Sequence, residues 1–359
     1  RWRAYHFNKI IEFPSEVSGT NCSCRLKELR LSYNYISKIN SEFLADLKEL
    51  QSVDLSYNRV HNISEHSFAN LRNLVYLNMA GNALEFVAER AFSRLPKLQV
   101  LDLRDNRLVE ISSLVGGGPP VLVNILDLSH NLLESLSKAF FDSVGASLRQ
   151  IILTHNRLTH IDNFAFGALP QLEILILHHN NISAVKRRAF GEVSALQILD
   201  LAHNRLAQLA VEQFSNMRRL RHLRLAANEL RALPRDAFRN TVLEHLDLQD
   251  NQLSVFPGSA LAQVGFTLRR LELARNRLEY LDAAMFHAIA FLHELSLERN
   301  VLTVLADNTF VMKQTKFLDI SRKVATILDV PYMKIARICK WRHRRVVKIT
   351  TTSFASCSL

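Results

Sequence analysis

The sequence has only four cysteines, which lie in two groups near opposite ends of the chain: Cys22 with Cys24, and Cys339 with Cys357. So few cysteines in this arrangement cannot form a disulfide framework. Hydrophobic residues make up 48% of the 359 residues, which is ample for a core and excludes disorder throughout. There is also no run of about 18 apolar residues and no signal-peptide hydrophobic region at the start, so we expect a fragment or a processed chain.

Motifs that carry catalysis are missing as well. The sequence contains no GxSxG elbow, no GxxxxGK[ST] phosphate loop and no paired CxxC, and His293-Glu294 lacks the second histidine of HExxH. Single Asp and His residues on an open sheet would have no low-dielectric pocket to shift their pKa values. We therefore predict that the protein is not an enzyme, with no catalytic residues and no cofactor.

Positive charge is concentrated at one end. The formal net charge is +11, but residues 313–359 hold eleven Lys and Arg against two Asp, so that segment carries +9 and residues 1–312 only +2. The basic segment is either disordered or suited to acidic lipid headgroups or nucleic acid. Because the rest of the chain is nearly neutral, we expect no nucleic-acid partner.

What the sequence does contain is a repeat of 23 to 25 residues centred on asparagine. Aliphatic residues lie five and three residues before each asparagine and two after it, as Leu101 and Leu103 precede Asn106 and Leu108 follows it. The pattern is LxxLxLxxNxL, the signature of a leucine-rich repeat. The asparagines are Asn34, Asn58, Asn82, Asn106, Asn131, Asn156, Asn180, Asn204, Asn228, Asn251, Asn276 and Asn300.

This spacing predicts the fold. Leu-x-Leu is a period-two alternation that favours a short strand with one buried face, and the asparagine amide can bond the turns of adjacent repeats as a ladder. We predict an α/β leucine-rich-repeat solenoid, a curved horseshoe with a parallel β-sheet on its concave face and short helical or irregular convex segments. Nine phenylalanines ten residues after an asparagine are predicted to fill the core behind the sheet: Phe68, Phe92, Phe141, Phe166, Phe190, Phe214, Phe238, Phe286 and Phe310.

Three regions follow from the repeat. Residues 1–25 are expected to be an N-terminal remnant with a partial cap, and residues 26–312 an array of about twelve repeats. Residues 313–359 are expected to be a degraded repeat followed by the basic tail. Inside the array the phenylalanine position is once replaced by Gly116, followed by glycines and prolines, which predicts an irregular loop.

The repeat LxxLxLxxNxLxxLxxxxFxxLxx resembles that of the typical class of extracellular leucine-rich-repeat proteins. Runs such as LQSVDLSYNRVHNISEHSFANLRNLVYLNMAGNAL are most similar to those of chaoptin-like adhesion proteins, although toll-type receptor ectodomains share most of the motif. The resemblance implies a cell-surface protein on the outer face of the plasma membrane. Its partner would be a protein, either another copy of itself or a different molecule, and the alternative is a toll-type ligand-binding receptor ectodomain. We expect membrane contact only through an anchor that this chain does not contain.

Between the buried leucines, side chains should face the concave side of the sheet. In the repeats that end at Asn156, Asn180 and Asn204 these positions combine isoleucine with histidine, whereas elsewhere they are mostly polar. An apolar cluster on a polar sheet usually has a partner, the alternatives being a chance cluster or one covered by glycan or a neighbouring chain. The predicted partner-binding residues are Ile152, Ile174, Ile176, Ile198, His155, His178, His179 and His203.

The histidines could form a metal site or a pH-sensitive contact, but strings such as LSHN are also common repeat filler. No Asp, Glu or Cys at matching positions completes a coordination set, so we predict no metal. Three N-x-S sequons, at Asn21, Asn62 and Asn181, are the predicted glycosylation sites.

Overall fold

The computed structural model describes residues 2–13, 25–68, 70–111, 121–144, 147–282, 284–289 and 291–305, and the backbone of two later strands. Several sequence predictions lie outside these residues: the sequon at Asn21, all four cysteines, the loop that includes Gly116, Phe310, and the basic tail apart from the two strands. The described chain forms two compact units. The first comprises Arg1–Asn181 and Arg188–Leu196, and the second comprises Ile182–Arg187 and Gln197–Leu359.

The first unit is a solenoid built on a parallel sheet, as predicted. The main sheet runs in the order β1-β2-β3-β5-β7-β8-β9-β11, and β4 pairs with β6. Each main strand has three residues, and from β2 onward the central one is buried, as Ile151 and Leu175 are in β9 and β11. The strands are β1 Trp2–Ala4, β2 Glu28–Arg30, β3 Ser52–Asp54, β4 Asn62–Ile63, β5 Tyr76–Asn78, β6 Phe86–Val87, β7 Val100–Asp102, β8 Ile125–Asp127, β9 Gln150–Ile152, β10 His160–Ile161 and β11 Ile174–Ile176.

The second unit has the same construction. Its main sheet runs β13-β14-β15-β16-β18-β20-β21, with β17 paired to β19. The central leucines again lie in register, since Leu199 is opposite Leu223 and Leu223 is opposite Leu246. The strands are β12 Ala184–Val185, β13 Ile198–Asp200, β14 His222–Arg224, β15 His245–Asp247, β16 Arg270–Glu272, β17 Tyr280–Leu281, β18 Glu294–Ser296, β19 Val304–Leu305, β20 Phe317–Asp319 and β21 Val346–Lys348.

Strand β1 lies in the segment that the sequence assigned to an N-terminal remnant. It pairs in parallel with β2, Arg3 standing opposite Leu29. The Asn34 amide donates to the carbonyl of Tyr5 at 2.7 Å and accepts from the amide of Ile10 at 3.1 Å. The repeat pattern did not predict this strand, because Arg3 and Tyr5 occupy the positions where other repeats have aliphatic residues.

The asparagine ladder forms as predicted. The Asn156 side-chain amide donates to the carbonyl of Leu128 in the preceding repeat at 2.9 Å and to Leu153 in its own repeat at 3.1 Å. Its oxygen accepts from the amide of Leu133 at 3.0 Å. One buried side chain thereby bonds backbone groups of two repeats, and those of Leu128 and Leu133 belong to the neighbouring turn. The ladder therefore joins adjacent repeats as well as closing each turn.

The phenylalanines fill the core behind the strands. In the first unit Phe166 packs between two others, with ring centroids 5.3 Å from Phe141 and 5.9 Å from Phe190. In the second unit Phe214 stacks on Phe238 at 6.3 Å. All eight predicted phenylalanines that the structure describes are buried: Phe68, Phe92, Phe141, Phe166, Phe190, Phe214, Phe238 and Phe286.

Helical segments between the strands are short, and most are single turns. The α-helices are α1 Ser41–Ala45, α2 Lys138–Val144 and α3 Gly258–Leu261, and Ala262–Val264 and Ala284–Ile289 are 3-10 turns. Helix α1 begins where the Asn40 side chain accepts a hydrogen bond from the amide of Phe43 at 3.0 Å, an N-cap that satisfies an otherwise unpaired donor. Among the described residues, no helix has the length and apolarity needed to cross a membrane.

Candidate binding surface on the strands

The residue before each ladder asparagine has a left-handed backbone, with φ between 51° and 65°. Its amide reaches the next repeat, as that of His130 donates to the carbonyl of Thr154 at 2.9 Å. Residues other than glycine seldom adopt this conformation, and histidine, asparagine and aspartate are enriched among those that do. The residues are Tyr33, Tyr57, Gly81, Asp105, His130, His155, His179, His203, Ala227, Asp250, Arg275 and Arg299.

Recurrence of histidine before asparagine therefore has a conformational reason. Within a unit, the same turn sets these side chains in a column along the carboxyl ends of the strands. In the first unit His155 stacks between His130 and His179, with ring centroids 4.3 Å and 4.4 Å away. The isolated sequence could not show this stacking, because it depends on how far one turn lies from the next.

An aromatic stretch of the same column was missed by the sequence reasoning. Phe7, Tyr33 and Tyr57 stack with ring centroids 4.5 Å apart at both contacts. Their residue exposures are 77%, 44% and 41%, so this stack is among the more exposed apolar features of the first unit. Both tyrosines stand in the string LSYN, and this recurrence is the sequence signal that could have predicted the stack.

Ile152, Ile174 and Ile176 lie on the outward side of β9 and β11 and are each half-buried. Ile176 stands directly opposite Ile152, and Ile174 is opposite Gln150. Together with His155, His178 and His179, these three isoleucines form what we call the isoleucine–histidine patch. All six residues belong to the first unit.

The two remaining predicted residues lie in the second unit. Ile198 opens β13, is half-buried and stands opposite His222. His203 is exposed and precedes Asn204 in the left-handed turn.

The three histidines of the patch approach one another. Imidazole nitrogens of His155, His178 and His179, one from each, all lie within 4.8 Å of each other. The His178 ring is nearly perpendicular to that of His179, with centroids 5.1 Å apart. Nδ1 of His178 is 2.9 Å from the hydroxyl oxygen of Thr154, which is 9% exposed. This hydrogen bond orients the His178 ring.

Acidic residues border the patch on the side of β8. The strand position held by Ile152 and Ile176 is occupied by Asp127 in β8 and by Asp102 in β7. Burial raises the pKa of Asp102. The charge of Arg104, whose Nε lies 3.5 Å from Oδ2 of Asp102, lowers this pKa but does not cancel the effect of burial. The outward surface thus changes from carboxylates to isoleucines between β8 and β9.

The second unit has a polar pocket that the sequence reasoning did not predict. Its volume is about 160 Å³, and Nδ1 of His222 lies 3.2 Å from Nδ1 of His245. These histidines occupy the same strand position in successive repeats, a signal that is visible in the strings RHLRL and EHLDL. The polar residues lining the pocket are His222, Arg224, His245, Asp247, Arg270 and Glu272.

Acidification should weaken the fold around this histidine pair. Burial, then the charges of Arg270 and His222, lower the pKa of His245 from its ordinary value of 6.5. Just below pH 6.5, His245 therefore binds more protons in the unfolded chain than in the folded chain, so its contribution to the free energy of unfolding falls as the pH drops through that window. Burial raises the pKa of Asp247 above 3.8, so its protonation stabilises the fold, but at lower pH.

The measurement is the urea midpoint at about pH 7.5 and pH 5.5 for the native chain and for His245→Gln, with the exposed His66→Gln as the control. We expect His245→Gln to reduce the fall in midpoint and His66→Gln to leave it unchanged. An equal fall in all three proteins would contradict this assignment.

Two predicted glycosylation sites lie within the described residues. Asn62 in β4 and Asn181 after the ladder residue Asn180 are both exposed, as are the sequon residues Ser64 and Ser183. Attachment of a glycan at either asparagine stays a prediction.

In-register strands, a ladder of buried asparagines and a stack of phenylalanines define a repeat solenoid, a fold that generally serves as a scaffold for protein–protein binding. The Leucine rich repeat family matches residues 24–84, 48–108, 146–206, 194–253 and 218–264. Because these segments together span more than half of the sequence, the chain belongs to the leucine-rich repeat family.

Chaoptin from Tribolium castaneum is 42% identical over 53 residues, which are 15% of this chain and 7% of chaoptin. The match therefore represents a small part of that protein. A leucine-rich repeat protein of Leptospira interrogans superposes with a TM-score of 0.77 at 24% identity, covering 95% of this chain and 82% of its own. The glycosylated Toll–Spatzle complex of Drosophila gives a TM-score of 0.69 at 20% identity, covering 84% of this chain and 49% of its own. With identities of 24% and 20%, the two superpositions show that this chain has the same fold as those proteins.

Proposed function

We propose that this chain is the recognition part of an extracellular cell-surface adhesion protein. In this proposal it binds a protein partner, which is either another copy of itself or a different surface molecule, through the isoleucine–histidine patch. The observation that carries the proposal is the pairing of Ile152 with Ile176 on the outward side of β9 and β11, at a strand position held by Asp102 and Asp127 in the two preceding strands. Contiguous apolar groups on a water-facing sheet are more stable when a partner covers them.

Two further features support an extracellular setting. Asn62 and Asn181 are exposed within complete sequons, so an oligosaccharyltransferase could reach both. The partial likeness to chaoptin is consistent with adhesion, and Toll is found in its glycosylated form in complex with Spatzle.

The polar pocket of the second unit favours a second candidate, a ligand-binding receptor ectodomain. His222, Arg270 and Asp247 converge there, and such a set of groups suits a charged side chain or terminus of a soluble ligand. The two candidates differ in whether cells that display the chain adhere to other cells.

The experiment that tests adhesion mixes two differently labelled cell populations, only one of which displays the full chain on a membrane anchor. Clusters of displaying cells alone would indicate homophilic adhesion, and mixed clusters would indicate a different surface partner. An absence of clusters, with display confirmed by antibody, would overturn the adhesion proposal and favour the receptor ectodomain.

Ile152→Asp with Ile176→Asp should reduce clustering to the level of cells that display nothing. The two carboxylates would have to lose their water on contact with a partner, which costs several kcal/mol when no opposite charge is present. Both residues are half-buried on the outward side of their strands, so we expect the fold to persist.

The matched control is Val211→Asp, because Val211 is 53% exposed and lies outside the strands. It adds one of the two negative charges elsewhere on the surface and should leave clustering unchanged. Clustering that survives the double substitution at equal display would exclude the isoleucine–histidine patch as the contact surface.

A further inference from the structure

We propose that His155, His178 and His179 bind a divalent transition-metal ion of the Zn²⁺ class through imidazole nitrogens. One ligand nitrogen from each ring lies within 4.8 Å of the other two. Three histidines are a sufficient protein ligand set for zinc when a water or another group takes the fourth position. No metal was predicted from the sequence, since no Asp, Glu or Cys completes a ligand set at matching positions, but a three-histidine site needs none of these residues.

The present separation can be closed by small side-chain movements. A tetrahedral zinc ion with Zn–N bonds of about 2.0–2.1 Å holds its ligand nitrogens roughly 3.4 Å apart. His155 and His179 are exposed, so their rings can turn toward a shared ion without displacing buried side chains, although the stacking between them is lost. Their rings are now parallel, with an interplanar angle of 7°, and must tilt toward each other to share an ion.

The backbone fixes the positions from which His155 and His179 extend. His155 and His179 occupy the same left-handed turn position in successive repeats, with φ of 54° and 55°. The ladder fixes these two turns relative to each other, because Asn180 donates to the carbonyl of Leu153 at 2.9 Å. Much of the ordering that a metal site requires is therefore supplied by the fold itself.

The contact between Thr154 and His178 is a second observation that points to metal binding. Histidines that bind a metal through one ring nitrogen usually form a hydrogen bond with the other, which fixes the tautomer and the orientation of the ring. When Nδ1 of His178 donates to the Thr154 hydroxyl oxygen, 2.9 Å away, the lone pair lies on Nε2. This tautomer is the one that can coordinate an ion through Nε2.

The ligand set also selects the kind of metal. Among the described residues, the cluster consists of imidazoles alone. Ca²⁺ and Mg²⁺ require several oxygen ligands, whereas imidazole suits Zn²⁺, Cu²⁺ and Ni²⁺. We therefore expect binding of these transition metals, and Mg²⁺ should not compete.

The test is calorimetric titration of the purified full chain, with any polyhistidine tag removed, using Zn²⁺ in a buffer that does not chelate metals. We expect one equivalent of Zn²⁺ to bind with a dissociation constant that a large excess of Mg²⁺ leaves unchanged. Titration with Co²⁺ should give the visible absorption bands of a four-coordinate ion. Because the titration follows the ion alone, its outcome is independent of the proposed adhesion.

His155→Asn with His179→Asn should abolish the one-equivalent site. Asparagine adopts the left-handed conformation readily, so this double variant keeps the turns, and circular dichroism with a thermal melt confirms folding. His178→Asn should weaken Zn²⁺ binding at least tenfold. The control is His66→Asn, which replaces an exposed left-handed histidine elsewhere in the first unit and should bind Zn²⁺ as the native chain does.

Either of two results would overturn the proposal. One is the absence of Zn²⁺ binding by the folded native chain. The other is binding of equal affinity and stoichiometry by the folded His155→Asn, His179→Asn variant.

Discussion

Replacing Phe166 by alanine should lower the free energy of unfolding by about 3–5 kcal/mol. The side chain is 1% exposed and its ring packs between those of Phe141 and Phe190. Removal of the ring loses its burial and also leaves a cavity, because the ladder and the strands hold the flanking turns in place. Urea unfolding followed by circular dichroism measures the change.

Phe86→Ala is the matched control for Phe166→Ala, since Phe86 belongs to the same unit and is 57% exposed. The control should change the free energy of unfolding by less than about 0.5 kcal/mol, as surface substitutions usually do. In a solenoid each repeat contacts its neighbours alone, so local hydrogen exchange should increase most in the repeats next to Phe166. A loss below about 1 kcal/mol would show that the phenylalanine stack does not support the fold as described.

Asn180→Leu should destabilise the fold by roughly 2–4 kcal/mol, because it leaves buried backbone groups without hydrogen bonds. The Asn180 amide donates to the carbonyls of Leu153 and Leu177 at 2.9 Å and 3.0 Å. Its oxygen accepts from the amide of Leu158 at 3.2 Å. Leucine branches at the same carbon as asparagine but can form none of these bonds, so the measured loss includes the whole contribution of the Asn180 hydrogen bonds.

The adjacent residue provides the control for Asn180→Leu. Asn181 is exposed, and Asn181→Leu removes the same amide from the next position along the chain. Both variants should be produced in a host that does not glycosylate proteins, so that loss of the sequon has no effect. We expect the urea midpoint to shift for Asn180→Leu and to stay near the native value for Asn181→Leu. Equal shifts would mean that the ladder hydrogen bonds contribute little.

Features that recur with the repeat could be predicted from the sequence. The asparagine positions predicted the ladder, and Leu101 and Leu103 were correctly placed in the core of their repeat. Such features depend on contacts between equivalent positions in consecutive turns, so a regular spacing in the sequence becomes a regular spacing in the structure. Strand β1 was not predicted because Arg3 stands where the other strands have a central aliphatic residue.

Surface features were less predictable. The isoleucines of the patch were identified from their positions, but their half-burial depends on neighbours across the sheet, as Ile152 lies between Asp127 and Ile176. The pocket around His222 and His245 was not predicted because it needs three adjacent strands to bring its charges together. Strand pairing places side chains about 5 Å apart across the sheet, and the linear sequence does not display that proximity.

The sequence by itself determined the solenoid, the ladder and the phenylalanine core, because their residues repeat at a constant interval and buried positions tolerate few alternatives. Tertiary structure alone decided that His155, His178 and His179 converge, and that Thr154 orients one of them. The reason is the left-handed turn before each asparagine, which in the first unit places the rings of His130, His155 and His179 in one column along the carboxyl ends of the strands. Residues about 24 positions apart in the chain thereby become neighbours whose chemistry acts together.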